Sequence, residues 1–240
     1  MPDAYAHITT AEPAVVNVLI DAMELRAADP QQRVIRERFL SEVAFPEAAR
    51  VLEGGCGSGA ICRELARWPQ VGEVVGLDPS PDFLAKAREL AAGIPNLRFD
   101  EGDARSLAYE DEEFDAVVFH TCLTHVPGPE KALTEAFRVL RPGGRLLVLD
   151  GDYSTTSVAT GDHDPLQECA DAAMAGLVND RWLVRRLPPL VVPERASAPP
   201  RRRRLHRRGS RSAPPVRDVR PGRSATGPAA VRRGAIIRDR

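Results

Sequence analysis

Residues 50–60 read RVLEGGCGSGA, an apolar run and an acid followed by four glycines in six positions. Glycine loses more backbone entropy on folding than any other residue, so such a cluster indicates a chain that must turn sharply or approach a ligand closely. The run before it is typical of a buried strand, and helical spacing follows it. The stretch therefore predicts a strand and a helix joined by a loop that directs free backbone N–H groups at a ligand.

The same alternation of strand and helix continues to residue 190. We predict strands at residues 50–54, 73–78, 96–102, 115–120 and 145–150, and helices at 58–67, 81–92, 129–140, 164–178 and 180–190. Strands that alternate with helices form βαβ units and a parallel sheet covered on both faces. We therefore expect a doubly wound α/β domain at residues 46–190.

The N-terminal part of the chain has helical spacing. Pro13 suits a first helical turn, apolar residues recur three and four positions apart after it, and a second helix is expected after Pro30. We interpret residues 1–45 as a helical cap or lid.

The N-terminus lacks the pattern of a signal peptide, and no run of about 18 apolar residues predicts a membrane span. The four cysteines have no metal-ligand spacing, so we expect reduced thiols and a cytoplasmic location.

The net charge of −1 conceals two unlike parts of the chain. Residues 183–240 contain 17 of the 33 basic residues but three of the 34 acidic ones. Residues 191–240 have no aromatic residue and are rich in Arg, Pro, Ala, Gly and Ser, so we expect this tail to be disordered. The composition also favours the hypothesis that the reading frame shifts near Val191. A basic arm that binds nucleic-acid phosphates, or a small folded module, remains an alternative.

Three kinds of nucleotide-containing ligand are possible for the glycine loop. A phosphate-binding P-loop needs a Gly-Lys-Ser/Thr sequence, which is absent. A dinucleotide fingerprint is spaced GxGxxG, whereas here the spacing Gly55-x-Gly57-x-Gly59 is one residue tighter. The third ligand is S-adenosylmethionine. Asp78 ends the second predicted strand, where an acid accepts hydrogen bonds from ribose hydroxyls, and Asp103 follows the third, where an acid can bind an adenine amino group. The alternative is that no ligand binds here, so that the glycines form only a tight turn and Asp78 serves only as the cap of the following helix.

With the stretch FRVLRPGGRLLVLD at residues 137–150, these motifs resemble the class I S-adenosylmethionine-dependent methyltransferases, in the small-molecule group that includes the ubiquinone and menaquinone C-methyltransferases. The resemblance covers residues 30–190. It implies strand order 3-2-1-4-5, and the family's last two antiparallel strands are expected to be missing. It also implies the cofactor contacts, which involve Glu53 near the amino group, Gly55, Gly57 and Gly59 near the methionine part, Asp78 at the ribose, and Asp103 and the Ala104 backbone at the adenine.

The expected reaction is methyl transfer to an O, N or C atom of a small metabolite. His120 and His125 are the candidate catalytic bases because imidazole titrates near neutral pH, and His120 is also expected to contact the cofactor. We expect no metal, because His120 stands where catechol-type relatives place a metal-binding acid, and we read residues 161–165 (GDHDP) as a loop with a helix N-cap at Asp164. Two alternatives remain, namely a nucleic-acid-associated protein that uses the tail and a methyltransferase-like fold with a non-methylating reaction.

Overall fold

The computed structural model describes residues 3–191 and the strand at residues 232–239. Within these residues the chain forms one six-stranded sheet with the order β3-β2-β1-β4-β5-β6. The strands are β1 (Ala49–Gly54), β2 (Val71–Asp78), β3 (Leu97–Glu101), β4 (Phe114–His120), β5 (Leu140–Asp152) and β6 (Arg232–Asp239). The first five strands are parallel, so the predicted order 3-2-1-4-5 is confirmed.

The helices follow the predicted alternation. They are α1 (Pro13–Ala28), α2 (Pro30–Ser41), α3 (Ala60–Leu65), α4 (Pro81–Leu90), α5 (Pro129–Val139), α6 (Pro165–Leu177) and α7 (Leu183–Val191). Five of the seven begin at a proline, whose fixed φ suits the first helical position and whose missing N–H would have no partner there. Asp164 caps α6 by accepting a hydrogen bond from Leu166 N, as its position before Pro165 predicted.

Both faces of the sheet are covered, because neighbouring side chains of a strand point to opposite faces. Val51 and Leu52 in β1 are both fully buried, and each belongs to a different core cluster. The cluster around Leu52 includes side chains of α5 and α7, whereas the cluster around Val51 includes side chains of α2, α3 and α4. A third, smaller cluster joins α1 to the start of α4 through Ile20 and Phe83. This contact places the N-terminal helices beside the carboxyl ends of the parallel strands.

The C-terminal strand corrects one expectation. The sequence predicted disorder throughout residues 191–240 and the absence of the family's last two antiparallel strands, but β6 pairs antiparallel with β5 from Arg145↔Asp239 to Asp152↔Arg232. The prediction is therefore wrong for these eight residues. They contain no proline and include the β-branched pair Ile236 and Ile237, so this stretch can form a complete ladder although the tail composition as a whole cannot. Residues 192–231 lie outside the described residues, and the hypotheses about them stay predictions.

None of the helices in the described ranges has the length and apolar character needed to cross a membrane. The four cysteines are free thiols, and Cys56, Cys62 and Cys122 are buried.

Candidate active site

A cavity of about 320 Å³ opens at the carboxyl ends of β1, β2 and β4. This is the point where the strand order reverses, since β2 and β4 lie on opposite sides of β1 and open α/β sheets bind ligands at such a point. The volume lies within the roughly 300–1,000 Å³ of small-molecule sites. Eight of the nine candidate residues predicted from the sequence line it, namely Glu53, Gly55, Gly57, Asp78, Asp103, Ala104, His120 and His125.

The glycine loop joins β1 to α3. Gly55, Gly57 and Gly59 all have positive φ angles, of 66°, 55° and 75°, which L side chains rarely adopt. A Cβ atom on Gly57 would lie 2.5 Å from Met23 Sδ, so α1 covers the loop closely. Gly59 is the ninth candidate and does not line the cavity, because its Cβ position faces the Phe99 ring at 2.8 Å. The structure therefore assigns Gly59 to packing between the loop and β3.

Asp78 ends β2 and is 5% exposed. Its Oδ2 accepts a hydrogen bond from Gly57 N at 2.8 Å, and its Oδ1 accepts one from Ser80 N at 2.9 Å. Burial raises the pKa of this carboxyl to about 6, although both backbone N–H groups favour the charged form. Asp78 therefore holds the glycine loop and the start of α4 together at the cavity wall.

Glu53 lies beside Asp78 and is 2% exposed. The Cys62 Sγ thiol donates to its Oε2 at 2.8 Å. The Glu53 pKa is raised to about 8, chiefly by burial and to a smaller extent by the nearby Asp78, against the lowering effect of the hydrogen bonds from Cys62. At neutral pH the wall formed by β1 and β2 therefore carries less negative charge than two carboxyl groups would in water.

Asp103 follows β3 and is paired with Arg105. Arg105 Nη2 lies 2.6 Å from Asp103 Oδ2, and the Arg105 Nε and backbone N–H groups donate to the same carboxylate. These hydrogen bonds hold the Asp103 pKa below its ordinary value. Ala104, between them, is 8% exposed and lines the cavity. The sequence did not predict the ion pair between Asp103 and Arg105, because two side chains only two residues apart contact each other only where the chain turns.

The two candidate bases have different surroundings. His120 ends β4, its ring lies 6.3 Å from that of Phe39, and its Nδ1 lies 3.5 Å from the Thr121 hydroxyl. His125 Nδ1 lies 2.9 Å from Asp3 Oδ2, and its ring lies 4.6 Å from that of Tyr5. Both histidines line the same cavity.

The N-terminal segment contributes residues that sequence analysis did not identify. Tyr5, Met23, Arg26 and Gln32 all line the cavity, and Asp3 is buried beside it. No local motif marks these positions, because their role depends on how α1 and α2 pack against the sheet. The 3₁₀ helix Ile8–Thr10, α1 and α2 therefore form a wall of the cavity as well as a cover.

In the described ranges, residues 3–191 and 232–239, no three or more His, Cys, Asp or Glu side chains are grouped so that they could hold a metal ion, and the expectation of no metal stays a prediction. Asp150 is buried outside the cavity wall and accepts hydrogen bonds from the Thr124 backbone and hydroxyl. It fixes the loop after β4 that carries His125.

Comparisons with known proteins agree with this architecture. Residues 52–148 match a family model described as a methyltransferase domain. A demethylmenaquinone methyltransferase from Staphylococcus aureus (strain JH9) is 35% identical over 130 residues, which are 53% of this chain and 54% of that protein. The chain thus spans about half the length of the curated relatives that it matches.

Two solved structures share the fold. A putative sarcosine dimethylglycine methyltransferase from Galdieria sulphuraria is 23% identical with a TM-score of 0.53, over 67% of this chain and 61% of that chain. A SAM-dependent methyltransferase from Aquifex aeolicus is 22% identical with a TM-score of 0.50, over 66% and 81%. The family match runs from β1 to β5 and includes the glycine loop, Asp78 and Asp103. Over residues 52–148 the chain is therefore similar to methyltransferase domains in sequence, and it shares their fold.

Proposed function

We propose that this chain transfers a methyl group from S-adenosylmethionine to an O, N or C atom of a small molecule. The observation that carries the proposal is the cavity at the strand-order reversal, where the glycine loop and two buried carboxyl groups meet. The Staphylococcus aureus relative, which is named a demethylmenaquinone methyltransferase and matches about half of each chain, adds support.

The cavity wall has polar atoms that could form hydrogen bonds to the cofactor. Each Asp78 oxygen already accepts one backbone hydrogen bond and retains a further lone pair for a ribose hydroxyl. Ser58 Oγ lines the cavity and is buried, and it has no hydrogen-bond partner among the described residues. Buried polar groups are normally satisfied, so this hydroxyl indicates a polar ligand.

The residues of the wall divide into three groups by position. Glu53 and the Gly55–Gly57 backbone would hold the methionine part, Asp78 the ribose, and Asp103 with the Ala104 backbone the adenine. Because Asp103 is already paired with Arg105, it would bind the adenine amino group through a free lone pair or after the pair rearranges. The acceptor would occupy the part of the cavity between His120, His125 and the N-terminal segment.

The bound cofactor supplies an activated methyl group on a positively charged sulfur. The protein must align the acceptor, exclude water and remove a proton where the acceptor nucleophile carries one. Tyr5 and Met23 line the cavity and would exclude water from the reacting atoms, and the two histidines would provide basic nitrogen atoms at the cavity wall.

Calorimetry with S-adenosylhomocysteine tests the proposal. We expect the wild-type chain to bind it, and to bind NAD much more weakly. Asp78→Asn should weaken binding at least tenfold, because charge-assisted hydrogen bonds are each worth about 1.5–3 kcal/mol and about 1.4 kcal/mol corresponds to a factor of ten. Asp82→Asn is the matched control, since Asp82 lies exposed in the first turn of α4. Tighter binding of NAD, or unchanged binding in a folded Asp78→Asn protein, would contradict the assignment.

No observation favours the two alternative functions. The nucleic-acid hypothesis depends on the tail, of which residues 192–231 lie outside the described residues. The cytoplasmic location stays a prediction. A screen with a labelled methyl donor against phenols, carboxylic acids and amines would identify the acceptor.

A further inference from the structure

We infer that Asp3 and His125 act as a pair in which His125 Nε2 removes the proton from the nucleophile of the methyl acceptor and Asp3 positions the imidazole. The inference rests on the proposed methyl transfer. It identifies His125 rather than His120 as the base, and it assigns a positioning role to Asp3, which lies outside the matched residues 52–148. It also predicts the class of acceptor, which is a phenol, an enol or a similar hydroxyl compound.

The Asp3 carboxylate is held from several directions. It is 6% exposed, and its Oδ1 accepts a hydrogen bond from Tyr5 N at 3.0 Å. Its Oδ2 accepts one from Asn179 N at 2.8 Å and lies 2.9 Å from His125 Nδ1. The backbone thus fixes both oxygens, so the carboxylate presents a defined acceptor to the imidazole.

This contact fixes which nitrogen of His125 carries the proton. An ionised carboxylate only accepts hydrogen bonds, so the Nδ1 of a neutral His125 must be the protonated nitrogen. Its Nε2 then has a free lone pair, which is what a general base needs. The same arrangement of a carboxylate on Nδ1 and a basic Nε2 orients the histidine of hydrolytic triads.

The surroundings of His125 hold the ring at the cavity. The Tyr5 ring lies 4.6 Å from it and the Tyr153 ring 6.5 Å from it. The His125 side chain is 13% exposed, and the residue lines the cavity together with the glycine loop. Asp150, beneath the same loop, is buried, and burial raises the pKa of its carboxyl group. Asp3 is therefore the acid whose carboxylate directly contacts the imidazolium that proton removal produces.

His120, the other candidate base, lies next to a hydroxyl rather than in the Asp3 contact. The Thr121 hydroxyl lies 3.5 Å from its Nδ1, at the limit of a hydrogen bond, and a hydroxyl can donate or accept there. His120 remains a residue of the cavity wall that contacts Phe39 of α2.

The step balances in atoms and charge. His125 Nε2 takes the proton of the acceptor O–H group, and either the oxygen or, in an enolate, the carbon at the far end of the C=C bond forms the new bond to the methyl carbon. The carbon–sulfur bond breaks and its electron pair stays on sulfur, which becomes a neutral thioether. The positive charge ends on the imidazolium, which the Asp3 carboxylate stabilises. An acceptor of this class needs the base because its neutral hydroxyl is a weak nucleophile.

Nitrogen-15 NMR of the histidine rings tests the pair without a known acceptor. In the wild-type protein saturated with S-adenosylhomocysteine, we expect the His125 ring to show a protonated Nδ1 and an unprotonated Nε2. Asp3→Asn should reduce the population of this tautomer, whereas Asp21→Asn, an exposed position on α1, should leave it unchanged. A wild-type spectrum with the proton on Nε2 would overturn the inference without any variant.

Kinetics with the acceptor found in the labelled-donor screen separates positioning from support of the fold. Asp3→Asn should lower kcat at least a hundredfold with a KM change of less than threefold, since general-base catalysis contributes about 10²–10⁴. Asp21→Asn should retain wild-type kcat. An Asp3→Asn protein with wild-type kcat, or an acceptor without an ionisable hydroxyl or enol group, would refute the pair. Failure of S-adenosylhomocysteine to bind would instead contradict the proposed function.

Discussion

Glu53 and Asp78 are two carboxyl groups that folding removes from water at the ends of adjacent strands. Their positions follow from the sequence, because each acid directly ends an apolar run that forms a strand. Their protonation could not be predicted, since it depends on burial under α1 and the glycine loop. Burial raises the pKa of Glu53 to about 8 and that of Asp78 to about 6. Glu53 therefore binds its proton more tightly in the folded than in the unfolded chain.

The Glu53 shift predicts a pH-dependent loss of stability. Between the ordinary glutamate pKa of 4.5 and the folded value of about 8, the folded state binds more protons, so the free energy of unfolding falls as pH rises. Glu53→Gln removes this loss while keeping an acceptor for the Cys62 thiol. We expect the stability of the variant relative to wild type to increase by at least about 1.4 kcal/mol, the value of one pKa unit, between pH 5 and pH 9.

Urea unfolding at several pH values measures this difference. Glu47→Gln, at an exposed position before β1, is the control and should show a constant difference from wild type across the range. A Glu53→Gln protein whose relative stability does not change with pH would show that Glu53 is ionised throughout.

Asp3 and His125 show why other site residues were beyond prediction. The histidine was a candidate from its place after β4, but its partner lies 122 positions earlier in the chain. No period or motif relates the two residues. Only the packing of the N-terminal segment over the sheet brings them into contact.

At the scale of elements, the prediction succeeded where apolar periodicity is strong. Each of the five predicted strands and the seven predicted helices lies at its expected place. The boundaries differ where hydrogen bonding extends past the apolar residues, so β5 begins at Leu140 rather than at residue 145. The helix after the glycine loop is shorter than predicted and begins at Ala60, because Gly59 takes a left-handed conformation as its N-cap.

The loop between β1 and α3 offers a matched pair of glycine substitutions. Gly57→Ala places a side chain at φ 55° and toward Met23 Sδ, whereas Gly93→Ala meets φ 85° with nothing within 4 Å. Both should lose about 1–2 kcal/mol of stability, the cost of a left-handed L-residue. Gly57→Ala alone should also weaken S-adenosylhomocysteine binding, because it alters the cavity wall. Calorimetry and urea unfolding of both variants check this, and equal affinities would show that the loop backbone does not contact the ligand.

For the whole molecule, the parallel sheet was predictable and its final edge was not. Alternating strands and helices restrict the chain to a doubly wound sheet with few possible strand orders. The edge depends on eight residues at the end of an arginine- and proline-rich tail, where average composition argues against structure. The short stretch from Arg232 to Asp239 forms a strand because β5 already provides a complete row of backbone partners.

A chain ending at Val231 lacks β6 and leaves the backbone of β5 from Arg145 to Asp152 unpaired. Unpaired edges of apolar strands associate with other chains, so its mean mass by light scattering should rise with concentration more steeply than that of the full-length protein. Its urea midpoint should also fall, because a complete ladder is lost. S-adenosylhomocysteine binding should persist, since the cavity lies at β1, β2 and β4.

A full-length chain with residues 232–239 replaced by a Gly-Ser repeat should behave as the shortened chain does, because it keeps the length but not the strand. If both variants match the wild type in mass and midpoint, β6 does not protect the edge, and the case for a tail translated out of frame becomes stronger.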